Sequence, residues 1–248
     1  MKFISILTST VFVGLAIAAK TSPHTAKRAA RREATRLHGQ PNKYIEGSAH
    51  VINETTNVVY SSNWAGAALI TTGVTSVTGT FTVPGPSTNG SGSARVGIDG
   101  YSHDVFFQAG IDWTKSGDSY SYDAWYEWYP DYSYDFSGIT IAAGDVIKLI
   151  MTANSKTAGT AVLENLTTGI TVTKTLTNEA SAGALEEISA KWILEEDDAS
   201  SDFGSFEFTG ASALTSAGTV GVTGATIIET FQMSVTLPSS SEVLITYT

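Results

Sequence analysis

From Asn63 to the C-terminus the chain alternates short apolar runs with clusters of Gly, Ser, Asn and Pro. The runs are Ala67–Thr72, Val77–Val83, Arg95–Ile98, Val105–Trp113, Tyr122–Tyr129, Val146–Ala153, Thr160–Leu166 and Ile170–Leu176. Ile188–Leu194, Ser205–Thr209, Thr226–Val235 and Val243–Tyr247 continue the series. They are rich in β-branched and aromatic residues, and none shows an extended apolar period of 3.6. Pro84, Pro86, Pro130 and Pro238 fall at run ends, where a missing N–H disturbs no ladder. Strand-sized runs at this spacing predict an all-β fold, a sandwich or a barrel. No internal repeat suggests a propeller.

Alternation along a strand sorts side chains onto two faces. Val105, Phe107, Ala109, Ile111 and Trp113 form one apolar face, with Asp104, Phe106, Gln108, Gly110 and Asp112 opposite. In the next run Tyr122, Ala124, Tyr126 and Trp128 share a face, and Asp123, Trp125, Glu127 and Tyr129 share the other. Carboxylates mixed with large rings suit a cleft for an extended chain, because rings give contact area and acids give hydrogen bonds. Sheet packing beside a surface aromatic patch would account for the same residues, so composition leaves both readings open.

The N-terminus differs from this body. Lys2 followed by the apolar run Phe3–Ile17 and the small-x-small triplet Ala16-Ile17-Ala18 reads as a signal peptide over residues 1–19. The run is shorter than the ~20 residues of a membrane span. Secretion to the extracellular space is the expectation. Of the chain's 14 Lys/Arg and 24 Asp/Glu, eight bases and three acids lie in residues 1–57, leaving six bases and 21 acids in residues 58–248. The formal charge is therefore +5 on the first segment and −15 on the second. Such a body repels nucleic acid and anionic membrane surfaces, so neither is an expected partner. The basic stretch 20–57 is either a linker or, as the charge opposition favours, a propeptide covering an acidic domain of residues 58–248. Three Asn-x-Ser/Thr sequons, at Asn53, Asn89 and Asn165, fit a secreted chain.

Elimination narrows the chemistry. There is no Cys, so disulfides, thiolate metal sites and Cys nucleophiles are excluded. The body holds one histidine, His103, and no Gly-x-Ser-x-Gly turn, which removes the usual serine triad. One histidine is too few for a zinc hydrolase, so no metal is expected. No Asp-Thr-Gly or Asp-Ser-Gly triplet marks an ordinary aspartic peptidase. Carboxylate chemistry, with amide partners, is what remains, and it works most easily in acid.

Successive motifs then resemble those of the glutamic peptidases (eqolisins), secreted fungal acid endopeptidases. They are Ser62-Asn63-Trp64-Ala65-Gly66-Ala67, Val96-Gly97-Ile98-Asp99-Gly100, Phe107-Gln108-Ala109-Gly110-Ile111-Asp112 and Tyr122–Pro130, continued by Leu163–Gly169 and Ala190–Glu195. The resemblance runs in order through residues 61–248. It implies a bent antiparallel sandwich of two sheets, each of about seven strands, and a catalytic dyad of Gln108 and Glu195. It further implies that Trp64, Asp99, Asp112, Asp123, Trp125, Glu127 and Tyr129 line or support the substrate cleft. Polypeptide substrates and no cofactor follow from the same resemblance; the basic stretch 20–57 is expected to inhibit the acidic domain by charge pairing, and a monomeric state is expected. Two positions depart from the pattern: Arg95 stands where an aromatic is usual, and Lys191 where an acid is common. A cation at Arg95 is expected to favour acidic or polar substrate side chains in one subsite. The alternatives are a carbohydrate-binding sandwich using the rings of Tyr120–Phe136, an inactive homologue of the family, and a glycosidase built on paired carboxylates.

Overall fold

In a computed structural model the described residues are 58–196 and 202–248. The segments read as signal peptide and propeptide, residues 1–19 and 20–57, lie outside them. Sixteen strands follow in chain order. They are β1 (Val58–Tyr60), β2 (Trp64–Ile70), β3 (Ser76–Thr82), β4 (Gly90–Asp99), β5 (Phe106–Ser116), β6 (Ser119–Tyr129), β7 (Ser133–Asp135) and β8 (Val146–Ser155). Then come β9 (Ala158–Asn165), β10 (Ile170–Leu176), β11 (Ser189–Glu196), β12 (Ser205–Thr215), β13 (Gly218–Val220), β14 (Thr226–Glu229), β15 (Met233–Thr236) and β16 (Val243–Tyr247).

The strands form two sheets. One has the order β1-β14-β2-β11-β4-β5-β6-β7, and the other β10-β9-β8-β3-β12-β16-β15 with β13 paired to β12. Pairing is antiparallel throughout except between β1 and β14. Each sheet thus has eight strands rather than the expected seven or so, the surplus being short pieces such as β1, β7 and β13. Sequence patterning joins Thr226–Val235 into one run. The structure splits it at the exposed Phe231 into β14 in the first sheet and β15 in the second. No Gly, Pro or Asn marks that break.

The predicted apolar faces meet between the sheets. Phe107, Ala109, Ile111, Trp113 and Trp128 join Phe81, Leu149, Trp192 and Phe208 in one continuous core. Trp192 reaches across from β11 to donate Nε1–H to the Thr78 carbonyl, at 2.7 Å. Gly79 makes room for it, because a Cβ there would lie 2.9 Å from the indole. Burial of rings this large supplies ~25 cal/mol per Å² of apolar surface removed from water, and with no cysteine the sandwich rests on this core.

Candidate active site

The first sheet also buries polar residues on the face turned away from the core. Strand pairing lays them out in rows. Trp64, Glu195, Ser93, Asp112 and Asp123 are mutual neighbours across β2, β11, β4, β5 and β6. The next row is Gly66, Ile193, Arg95, Gly110 and Trp125. The third is Ala68, Lys191, Gly97, Gln108 and Glu127, and Asp99, Phe106 and Tyr129 continue the lattice. All nine residues singled out from the sequence therefore lie on one face. Gln108 sits two strands over from Glu195 and four residues along. Arg95 occupies the intervening strand in the intervening row.

The glycines in these rows leave space for long neighbours. A Cβ at Gly110 would come within 2.9 Å of the Trp125 ring and 3.1 Å of Arg95 Cβ. Ala68, Ile193 and Ile228 form a small apolar cluster on the same face, against which Val59, Trp64 and Tyr101 pack.

Each polar group has a defined contact. Glu195 Oε1 accepts from Asn63 Nδ2 at 2.8 Å, and Glu195 Oε2 accepts from Arg95 Nη2 in a buried ion pair. The Arg95 guanidinium lies 4.6 Å from the Trp64 ring centroid, a cation–π contact that fixes its plane. Gln108 donates Nε2–H to Glu127 Oε2 at 3.2 Å. Trp125 donates Nε1–H to Asp112 Oδ1 at 2.5 Å. Tyr129 stacks on Phe106 with ring centroids 4.6 Å apart. Asp123 lies across β5–β6 from Asp112.

Asp99 is wholly buried and has φ 62°, a left-handed conformation that Asp tolerates better than most residues. Its carboxylate accepts the backbone N–H groups of Glu186, Glu187 and Ile188 at 2.8 Å each, and of Ser189 at 3.2 Å. These bonds anchor the approach to β11 and hence the line of Lys191 and Glu195. Asp99 supports the site from below.

Two carboxyl and ammonium groups are strongly perturbed. Burial, with repulsion from Arg95, lowers the Lys191 ammonium to about 7, although Glu127, Asp99 and Glu195 pull the other way. Lys191 Nζ lies over the Phe106 ring at 3.9 Å. Burial, with repulsion from Asp202, raises Glu196 to about 7, so this neighbour of Glu195 is uncharged in acid. Among the described residues no group of three or more His, Asp or Glu side chains is placed to hold a metal ion. His103 lies beside Glu186, with Nδ1 3.4 Å from its carboxylate.

Reading the sequence did not identify Asn63 as a partner of Glu195, although Asn63 stands inside the first quoted motif. Arg95 was noted for its place in a motif, and the structure engages it with Glu195 rather than leaving it a free cation. Lys191 stands out in the sequence only as a cation where the family pattern has an acid, and Phe106 carries no signal beyond its alternation with core residues.

That outer sheet face gathers carboxylates, an amide and large rings, the groups with which carboxylate hydrolysis of an extended chain would work. The family model for the peptidase A4 family matches residues 62–247, and the chain belongs to that family, the glutamic peptidases. It is a peptide hydrolase. The chain is similar to aspergillopepsin-2 of Aspergillus niger, with 44% identity over 286 aligned positions covering 100% of both chains. It is 41% identical to scytalidopepsin B of Scytalidium lignicola, over 79% of this chain and 74% of that one. A solved structure of scytalido-glutamic peptidase with a transition state analog inhibitor superposes with a TM-score of 0.67 at 38% identity, covering 75% of this chain and 98% of that one. The aspergilloglutamic peptidase of Aspergillus niger gives 0.57 at 42% identity, over 64% and 99%.

Proposed function

We propose that this chain is a secreted acid endopeptidase whose Glu195 and Gln108 hydrolyse peptide bonds without a cofactor. The observation that carries the reading is the placement of both residues on one buried polar face, each held by a specific partner. Glu195, with Asn63 and Arg95 on its two oxygens, is the general base. It takes a proton from water as the water oxygen bonds to the peptide carbonyl carbon. Gln108 spends one Nε2–H on Glu127 and keeps the other for the carbonyl oxygen as that oxygen gains charge. An amide stays neutral at low pH and keeps its donors where a carboxylate would lose them or repel. Glu195 then returns the proton to the departing amine as the C–N bond breaks.

Trp64, Asp99, Asp112, Asp123, Trp125, Glu127 and Tyr129 are proposed to line or brace the cleft. Secretion rests on the apolar segment 1–19, and inhibition by the propeptide rests on the basic charge of residues 20–57. Glu195→Gln is expected to abolish peptide hydrolysis at pH 3–4, and Gln108→Glu to lower kcat by ~10²-fold or more, with circular dichroism unchanged. Near-wild-type rates in either folded variant would overturn the assignment. Mass spectrometry of the mature protein, isolated from culture medium, tests the two N-terminal segments.

A further inference from the structure

Gln108 can serve as an oxyanion donor only if its amide is held the right way round. Glu127 settles one half of that. Gln108 turns Nε2 toward Glu127 Oε2, to which it donates at 3.2 Å. This turns Oε1 to the other side, where it is buried and lacks a hydrogen-bond partner among the described residues. Lys191 Nζ, wholly enclosed in the same row, also lacks one. One orphan is an acceptor and the other a donor.

Gly97 alone separates them across the sheet. A Cβ at Gly97 would fall 2.8 Å from Gln108 Cβ and 3.0 Å from Lys191 Cε, so those two carbons lie within about 6 Å of each other. Nζ is one bond beyond Cε, and Oε1 is three bonds beyond Cβ. Nζ lies over the Phe106 ring and beside Gly100, so joining it to Oε1 takes a rotation about the last torsions of the lysine or one intervening water. Burying both groups unpaired is costly, and pairing them lowers the cost for both without cancelling the desolvation of the charge.

We propose that Lys191 is a positioning residue for the reaction: its ammonium hydrogen-bonds the Gln108 amide oxygen, directly or through one water, and fixes Nε2 toward the substrate carbonyl. The proposal rests on Gln108 being the oxyanion donor. A cation on the amide oxygen also draws electron density from Nε2 and strengthens its remaining N–H as a donor. The charged and titratable groups around the ammonium are Arg95 and Asp99 on β4, Glu127 on β6 and Glu195 on β11. Trp64 on β2 and Phe106 on β5 present only rings. Asp99 already holds four backbone amides, and Glu195 holds Asn63 and Arg95. The lysine is charged below about 7, so the bond is available throughout the acid range.

The test compares wild type with Lys191→Met and Lys191→Glu on one peptide substrate from pH 2.5 to 7. Gln108→Ala serves as the control on the dyad itself. Methionine keeps the stem and removes the donor, so kcat should fall at least tenfold at every pH while KM stays within about twofold. Glutamic acid donates only when protonated. Lys191→Glu should therefore recover activity over Lys191→Met at the acid end, and lose it at least one pH unit earlier than wild type as pH rises. Wild-type kcat in Lys191→Met, or identical pH profiles for the Met and Glu variants, would overturn the positioning role. Full activity in Gln108→Ala would overturn the dyad instead.

Discussion

Lys191→Met should make the protein more stable in acid even as it slows the enzyme. The wild-type ammonium is wholly enclosed, and its ordinary value of 10.5 falls to about 7 in the folded protein. A group whose folded value is depressed destabilises the fold wherever it is still protonated there. The full penalty applies below about 7, and it fades between 7 and 10.5 as the folded protein releases a proton that the unfolded chain keeps. At ~1.4 kcal/mol per unit the shift amounts to about 5 kcal/mol, a ceiling for what a neutral side chain of the same length recovers at pH 5. For a domain of this size each kcal/mol moves Tm by ~2–4 °C, so the increase is bounded at about 10–20 °C and falls short of that by what the proposed bond to Gln108 contributes. Wild-type stability should also climb between pH 7 and 10 with a slope that the variant lacks. Urea unfolding of both proteins at pH 5 and pH 9, followed by tryptophan fluorescence, measures this. A variant less stable than wild type at pH 5 would refute the buried-charge argument, because it would mean that the ammonium is already paired well enough to offset its desolvation.

The other predictions concern the supports of the site. Arg95→Met removes the cation bound to Glu195, the proposed general base, so the acid limb of kcat/KM should move to higher pH by ~1–3 units; an unmoved limb in a pH–rate profile would leave Arg95 a packing role only. Asp99→Ala strips four N–H groups of their acceptor and should cost on the order of 3 kcal/mol or more in urea unfolding, with activity falling as β11 loosens. The Asn165 sequon should carry no glycan in a peptide map of the secreted protein. Its Nδ2 is buried and donates to Asp145 at 2.8 Å, and its Oδ1 accepts from the N–H groups of Thr167 and Thr168.

Which side chains share a face could be read from the sequence; which of them touch could not. Period-two alternation put Gln108 with Asp112, and Asp123 with Trp125, Glu127 and Tyr129, because the pleat enforces it within any one strand. The partner of Glu195 is a different kind of fact. Asn63 lies 132 positions away in sequence and Arg95 lies 100 away, and only the order β2-β11-β4 brings the three together. That order depends on the register of strands that are not consecutive, and no local pattern encodes it. Asp99 illustrates the same limit. Its motif implied that it lines or supports the cleft without saying how; its left-handed backbone turns the carboxylate onto four amides at the entry to β11.

The two departures from the family pattern are legible as residues and became meaningful only as a pair of positions. Arg95 and Lys191 lie on adjacent strands in adjacent rows, and each repels the other. A site that carried these cations only for packing would do better with methionines, since neither full desolvation nor mutual repulsion would then be incurred. Their retention side by side is accounted for if each answers a different half of the dyad. Arg95 holds the carboxylate of Glu195, and in the proposed arrangement Lys191 supplies the donor that the amide oxygen of Gln108 lacks. Proton abstraction needs an ionised base and oxyanion stabilisation needs an oriented donor, and a lysine charged below about 7 and an arginine that stays protonated give both halves a cation throughout the acid range.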